Sequence, residues 1–397
     1  MAPMETVDPF APAKLGPITL RNRIIKAATF EGLSPRRLVT DELIAFHRAV
    51  AAGGVGMSTV AYCAVSREGT TDGRQIVLGA GAAPGLRRLT DAIHAEGAAA
   101  CAQIGHAGPV ANPAGTKAAP LAPSRFLTPT LRRTRAVTES DMDRVTDDFT
   151  AGARVAVGAG FDALEIHLGH NYLLSSFLSP RLNVRDDRWG GSLSNRARFP
   201  REVVRAVRDA AGGRVAVTAK FNMEDGVRGG LEVDESIEVA KMLQADGALD
   251  ALELTGGSSL LNPMYLFRGD VPRKEFGATM PVAMRIGFKL VGRRYFRAYR
   301  FEETFFLPNA RRFRDALDMP LILLGGINKL DTINDGLAAG FSFVAMARAL
   351  LREPDLVERM RAGVSKVGLC DHSNKCMPTI YRGTRCVLVA EEAGVSS

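Results

Sequence analysis

GFDALEIHLGHNYLLSSFLSPRLNVRDDRWGGSLSNRARF, residues 160–199, is the stretch on which the fold reading turns. It opens on an apolar run, 161–166, that reads as a buried strand. His167, His170 and Tyr172 follow within six residues of its end. A polar, arginine-rich loop comes next, broken by Gly190-Gly191, and then a helix whose cap is expected near Ser194 or Asn195. Titratable residues crowded at the carboxyl end of an apolar strand mark the catalytic face of a parallel β/α barrel.

Working outward, the same alternation repeats. Strands are expected at 23–29, 56–62, 98–104, 161–166, 214–221, 251–254, 320–324 and 341–346. Helices are expected at 41–52, 84–96, 139–158, 195–211, 233–246, 329–339 and 354–362. Each strand is a near-continuous apolar run, as in parallel sheets covered on both faces. Eight strands in order, alternating with helices, imply an α/β fold of the TIM (β/α)8 type. The rival, an open doubly wound sheet, suits the eightfold count less well. Residues 10–20 read as a hairpin plugging one end. Residues 257–302 form a long insertion after strand six that contains the basic and aromatic run KLVGRRYFRAYRF; it is expected to cap the mouth with its arginines solvated or stacked on aromatics, and a phosphate-bearing substrate or a membrane-surface role is the alternative. The whole chain, 1–397, is read as one domain, with 363–397 a C-terminal extension.

Composition narrows the function classes. Of 397 residues, 46% are hydrophobic and 24% charged, the balance of a globular protein. The net charge of +8 favours anionic ligands, but its arginines are spread along the chain. No interleaved basic-aromatic module supports nucleic-acid binding. MAPMETVDPF lacks the pattern of a signal peptide, and the most apolar run, 49–65, is Gly-rich and interrupted by Ser58 and Thr59, unlike a membrane span. A cytoplasmic protein with reduced thiols is expected. Cys370, Cys376 and Cys386 lie close in sequence, but an all-cysteine cluster needs four thiolates and Ser373 stands where a fourth would fall. Three inert thiols and no metal are therefore expected.

Thr29, Gln103, His106, His167, His170, Tyr172, Lys220, Glu253 and Thr255 fall at the carboxyl ends of five strands, which the fold gathers at one mouth. Paired imidazoles suit an oxygen that gains negative charge in a transition state, and a tyrosine beside them can deliver a proton. Gly325-Gly326 after strand seven and Ala347-Arg348 after strand eight occupy the usual phosphate site of such barrels.

These residues carry a resemblance. The central stretch strongly resembles the old yellow enzyme family of FMN-dependent NAD(P)H oxidoreductases. LRNRI (20–24), CAQIGHAG (101–108), LLGGI (323–327) and MARALLREPDL (346–356) match as well. SNKCMPTIYRGTRC (373–386) resembles the branch containing 2,4-dienoyl-CoA reductases, with Ser373 replacing a cluster cysteine. Phe30 stands where many members have Thr or Cys, and His106 is followed by Ala-Gly-Pro rather than Ala-Gly-Arg.

The resemblance implies FMN as cofactor and NAD(P)H as reductant. It implies backbone contacts to the flavin from Ala27, Ala28 and Thr29, and a hydrogen bond to its pyrimidine edge from Gln103. Lys220 would sit beside flavin N1 and O2, and Gly325, Gly326, Ala347 and Arg348 around the phosphate. His167 and His170 would grip a substrate carbonyl, and Tyr172 would protonate the α-carbon of a carbonyl-conjugated alkene as hydride reaches its β-carbon. Dehydrogenation or demethylation on the same scaffold is the alternative, and a non-catalytic flavin-binding protein a more distant one. A stand-alone flavoprotein without a further FAD/NAD module is expected, with a small enone-type substrate, no nucleic-acid or membrane partner, and room for homo-oligomers.

Overall fold

The computed structural model describes residues 7–112, 118–279, 285, 292 and 295–392. Eight strands close into a parallel barrel in chain order. They are β1 (Ile24–Lys26), β2 (Met57–Ala64), β3 (Ala99–Gly105), β4 (Ala163–Leu168), β5 (Ala216–Asn222), β6 (Ala251–Thr255), β7 (Leu321–Leu323) and β8 (Phe343–Met346), with β8 pairing back onto β1. The expected TIM barrel is the fold, and closure leaves it no open sheet edge.

The period of two along each strand sorts the interior. Ala27, Met57, Cys101, Ala163, Ala216, Ala251, Phe343 and Ala345 gather in one cluster at the amino end of the barrel. Alanine predominates there and leaves space, which Leu15 and Leu20 fill from the N-terminal hairpin (Ala13–Leu15 with Ile18–Leu20). The plug is therefore as expected. Two residues further along the same strands the inward positions turn polar, at Gln103, Glu165, Thr218 and Glu253, and Lys220 follows two residues beyond Thr218, all buried. The apolar floor thus supports a polar layer beneath the mouth.

Helices cover the outside: α1 (Asp41–Ala52), α2 (Ala83–Ala95), α3 (Glu139–Gly158), α4 (Leu193–Ala211), α5 (Val233–Asp246), α6 (Leu307–Ala316) and α7 (Leu330–Ala338). Thr138 and Asp141 close a capping box on α3. The cap of α4 is Ser192, not Ser194 or Asn195. Ser192 leaves the Gly190-Gly191 turn extended (φ −62°, ψ 152°), and its hydroxyl accepts from the Asn195 amide, so Ser194 and Asn195 already lie in the first turn. The expected helix at 354–362 is present as Leu356–Arg361, and a further short helix, Arg348–Arg352, precedes it, with Pro354 between the two. β1 is also shorter than expected. Its ladder ends at Lys26, so Ala28 and Thr29 run on as loop at the mouth.

The insertion after β6 folds back on the C-terminal segment. Met264, Phe276, Phe296 and Met377 form a small core with Phe267, Val271, Tyr295 and Tyr299 at its edge. Of KLVGRRYFRAYRF, residues 289–291 and 293–294 lie outside the described residues; Arg297 and Arg300 are exposed. Among the described residues no helix is long and apolar enough to cross a membrane.

Candidate active site

Leu168 ends β4, and the chain turns sharply at its carboxyl end. His170 and Asn171 both adopt left-handed backbone (φ 62° and 58°), a conformation that costs an ordinary residue roughly 1–2 kcal/mol. Tertiary bonds hold it. The His170 amide donates to Asn222 Oδ1 at 3.0 Å, and Asn171 Nδ2 donates to Asp225 Oδ1 at 3.0 Å. Strain maintained in this way is typical of functional loops.

The turn brings three rings together. His167 and Tyr172 stack with centroids 4.2 Å apart and planes 8° from parallel. His170 meets His167 edge-on at 5.2 Å. A fourth ring, Tyr62 of β2, stands edge-on to Tyr172 at 5.3 Å and to His167 at 5.9 Å. Gly105 makes that approach possible: a Cβ there would fall 2.6 Å from the Tyr62 ring and 3.0 Å from His167 Cβ. Ala28 and Tyr172 pack against the same cluster of Ala61, Tyr62 and Ala64.

Protonation states follow from burial. Desolvation, with the Lys220 charge second, holds His167 down at about 3. Desolvation, His167 and Lys220 hold His170 well below its usual value. Both rings are neutral at pH 7. The His167 Nδ1 accepts from the Gly169 amide at 3.3 Å, which leaves the proton on Nε2. The His170 Nε2 lies 3.0 Å from Thr255 Oγ1, which fixes that ring's orientation. Burial pushes the Tyr172 phenol up, so it holds its proton at neutral pH. The mouth therefore offers two neutral imidazoles and one phenolic proton.

Beneath the rings, Gln103 Nε2 donates to Glu165 Oε1 at 2.6 Å. The Lys220 ammonium pairs with Glu253 and lies 3.6 Å from Glu165. Its charge is thus shared with two carboxylates rather than free, a coupling that pairs neighbouring strands and that the sequence did not reveal. Glu165, Asn222 and Tyr62 were also missed. Their only sequence signal was a position at or near the carboxyl end of an inward-facing strand. His106 is not part of the ring cluster: its Nδ1 accepts from the Gly108 amide at 3.0 Å, and Glu68 lies 3.6 Å from its Nε2.

At the opposite side of the mouth, Gly325 and Gly326 follow β7 with φ of 106° and 75°. Their amides donate to no protein acceptor among the described residues. Ala347 packs at the barrel interior, whereas the Arg348 guanidinium turns toward the C-terminal segment, donating to Asn374 Oδ1 and to the Arg268 carbonyl at 3.2 Å. Cys370, Cys376 and Cys386 line a cavity beside Arg348 with Ser373. All three are free thiols, and among the described residues no group of His, Cys, Asp or Glu is arranged to hold a metal.

A closed barrel, a polar interior layer beneath paired imidazoles, and a double-glycine turn with open amides define a flavin-type oxidoreductase site. The model of the NADH:flavin oxidoreductase / NADH oxidase family matches residues 8–254, more than half of the chain, and the chain belongs to that family, the old yellow enzyme group. FMN is its cofactor and NADH or NADPH its reductant. The chain is 60% identical to the 4,4'-dithiodibutanoate disulfide reductase of Rhodococcus erythropolis, over 99% of each chain. It is 30% identical to the multifunctional alkene reductase/demethylase OYE of Caballeronia cordobensis, covering 88% of this chain and 49% of that one. A 2-naphthoyl-CoA reductase complex shares the fold at a TM-score of 0.82 and 24% identity, over 96% of this chain and 56% of that one.

The residues fit FMN. Gln103 and Lys220 supply an amide and an ammonium at one end of the mouth, suited to a pyrimidine edge. The free amides of Gly325 and Gly326 supply donors at the other, suited to a phosphate.

Proposed function

We propose that this protein uses NAD(P)H, through FMN, to reduce small electrophiles, and that its substrate is an organic disulfide carrying terminal carboxylates. The observation that carries this reading is the 60% identity over 99% of both chains with a reductase named for 4,4'-dithiodibutanoate. The two thiols of the barrel strands fit a reaction without thiol exchange. Burial pushes the Cys101 thiol, on the barrel floor, and the Cys63 thiol, also fully buried, far up. FMN, when bound, would supply the two electrons as one hydride equivalent. The imidazoles of His167 and His170 orient the substrate and donate hydrogen bonds to the leaving atom. Tyr172 holds the proton that the departing thiolate requires. The balance is one NAD(P)H, one proton and one disulfide giving NAD(P)+ and two thiols.

The second reading is reduction of a carbonyl-conjugated alkene, favoured by the donor pair and phenol that face one space. There His167 and His170 polarise the carbonyl and Tyr172 protonates the α-carbon. Ala27, Ala28, Thr29, Gln103, Lys220, Gly325, Gly326, Ala347 and Arg348 are proposed to surround the cofactor in either case. A cytoplasmic location accords with both.

The test is an anaerobic assay of the purified protein with NADH or NADPH against 4,4'-dithiodibutanoate and 2-cyclohexenone. Two thiols released per NAD(P)H, with kcat/KM at least tenfold above that for the enone, supports the first reading. The reverse ranking establishes the second.

A further inference from the structure

Arg268 stands out among the cations at the mouth. It follows the short helix Met264–Phe267 in the insertion. Its guanidinium carbon lies 4.8 Å from the ring centroid of Phe305, 5.1 Å from Tyr265, 5.9 Å from Phe306 and 6.0 Å from Tyr299. Its Nε is buried with no hydrogen-bond partner, and no carboxylate pairs with it among the described residues. A buried, unpaired donor on a cation is unfavourable by itself, and the rings offset only part of that through their negative faces.

The aromatic box places this cation at the phosphate end of the mouth. A Cβ on Gly325 would fall 2.4 Å from the Phe306 ring, and one on Gly326 would fall 2.7 Å from the Phe305 ring. Phe306 also lies against Gly256, just past β6. The rings that hold Arg268 are therefore the rings that wall the turn whose amides lack acceptors. From the other side, Arg348 donates to the Arg268 carbonyl and so fixes its backbone. Two sets of donors border the same rings: the Gly325-Gly326 amides, which have no acceptor among the described residues, and the Arg268 guanidinium, whose Nε has none.

We propose that Arg268 binds the phosphate of FMN, closing over it from the insertion while the Gly325-Gly326 turn holds it from below. The aromatic box keeps the guanidinium in place before the phosphate arrives, so little side-chain entropy is lost on binding. This assignment holds whichever electrophile the enzyme reduces.

The experiment is a fluorescence titration of the deflavinated protein with FMN and, separately, with riboflavin, which lacks the phosphate. In Arg268→Gln the dissociation constant for FMN is expected to rise roughly 10- to 100-fold while that for riboflavin stays unchanged. Arg268→Lys, which keeps the charge, is expected to fall between, and it carries the test if the glutamine variant fails to fold. Unchanged FMN affinity overturns the proposal. So does an equal loss for both flavins, which would mean that Arg268 only supports the aromatic box. So does unchanged FMN affinity with a raised KM for 4,4'-dithiodibutanoate, which would make the anion a substrate carboxylate.

Discussion

Tyr172 lies flat against His167, its ring centroid 4.2 Å away and its plane within 8° of parallel. The stack holds the phenol by its face, leaving the hydroxyl as the working part. Tyr172→Phe keeps the stack and removes only the proton. Reduction of the flavin by NAD(P)H is expected to proceed at the parent rate, whereas reoxidation by an enone slows by roughly a hundredfold or more. Stopped-flow absorbance of the two half-reactions separates them; equal reoxidation rates would remove Tyr172 as the proton donor.

The buried histidines make stability fall in acid. His167 is near 3 in the folded protein against 6.5 unfolded, so below pH 6.5 the unfolded chain binds a proton that the folded chain refuses. Its contribution is complete above pH 6.5 and declines as pH falls toward 3. At pH 5 that amounts to about 2 kcal/mol for this one residue. His170 and His47, also held down by burial, act in the same direction. Urea unfolding of the parent and of His167→Asn at pH 7 and pH 5 measures it: the variant should lose less between the two.

A buried ionic network ties β1 to α1. Lys26 Nζ donates to Glu31 at 2.9 Å and to the Thr59 carbonyl at 3.0 Å, while His47 Nε2 lies 3.3 Å from the same carboxylate. Lys26→Met leaves Glu31 buried without its cation and is expected to destabilise the fold by about 3–5 kcal/mol. Adding Glu31→Gln to Lys26→Met should recover a large part of that loss in thermal or denaturant unfolding. A double variant no better than Lys26→Met would show that the loss is one of packing rather than charge.

Gly325 is held at φ 106°, and a Cβ there would enter the Phe306 ring. Gly325→Ala is expected to displace the turn and weaken FMN binding at least tenfold. Flavin content after gel filtration gives the answer. Retention of a full complement of FMN would place the phosphate elsewhere.

The barrel itself was legible because eight apolar runs separated by amphipathic helices have one economical closure, and a local signal repeated eight times survives error in any single element. His167, His170 and Tyr172 were legible because they fall within six residues at one strand end. The cap of α4 was misplaced by two residues because Ser192, Ser194 and Asn195 are all good caps, and only the backbone leaving Gly191 chooses among them. What the sequence by itself determined is therefore the order of strands and the residue types that reach the mouth, since period two and strand ends are local properties. Only the tertiary structure decided the rest. Whether Lys220 stands free or is shared with Glu165 and Glu253, whether His106 joins His167 or turns to Glu68, and whether Arg268 packs on the rings that wall the Gly325-Gly326 turn depend on distances between strands and loops far apart in the chain. Burial also sets the charge states of His167 and His170, and burial exists only once the barrel has closed.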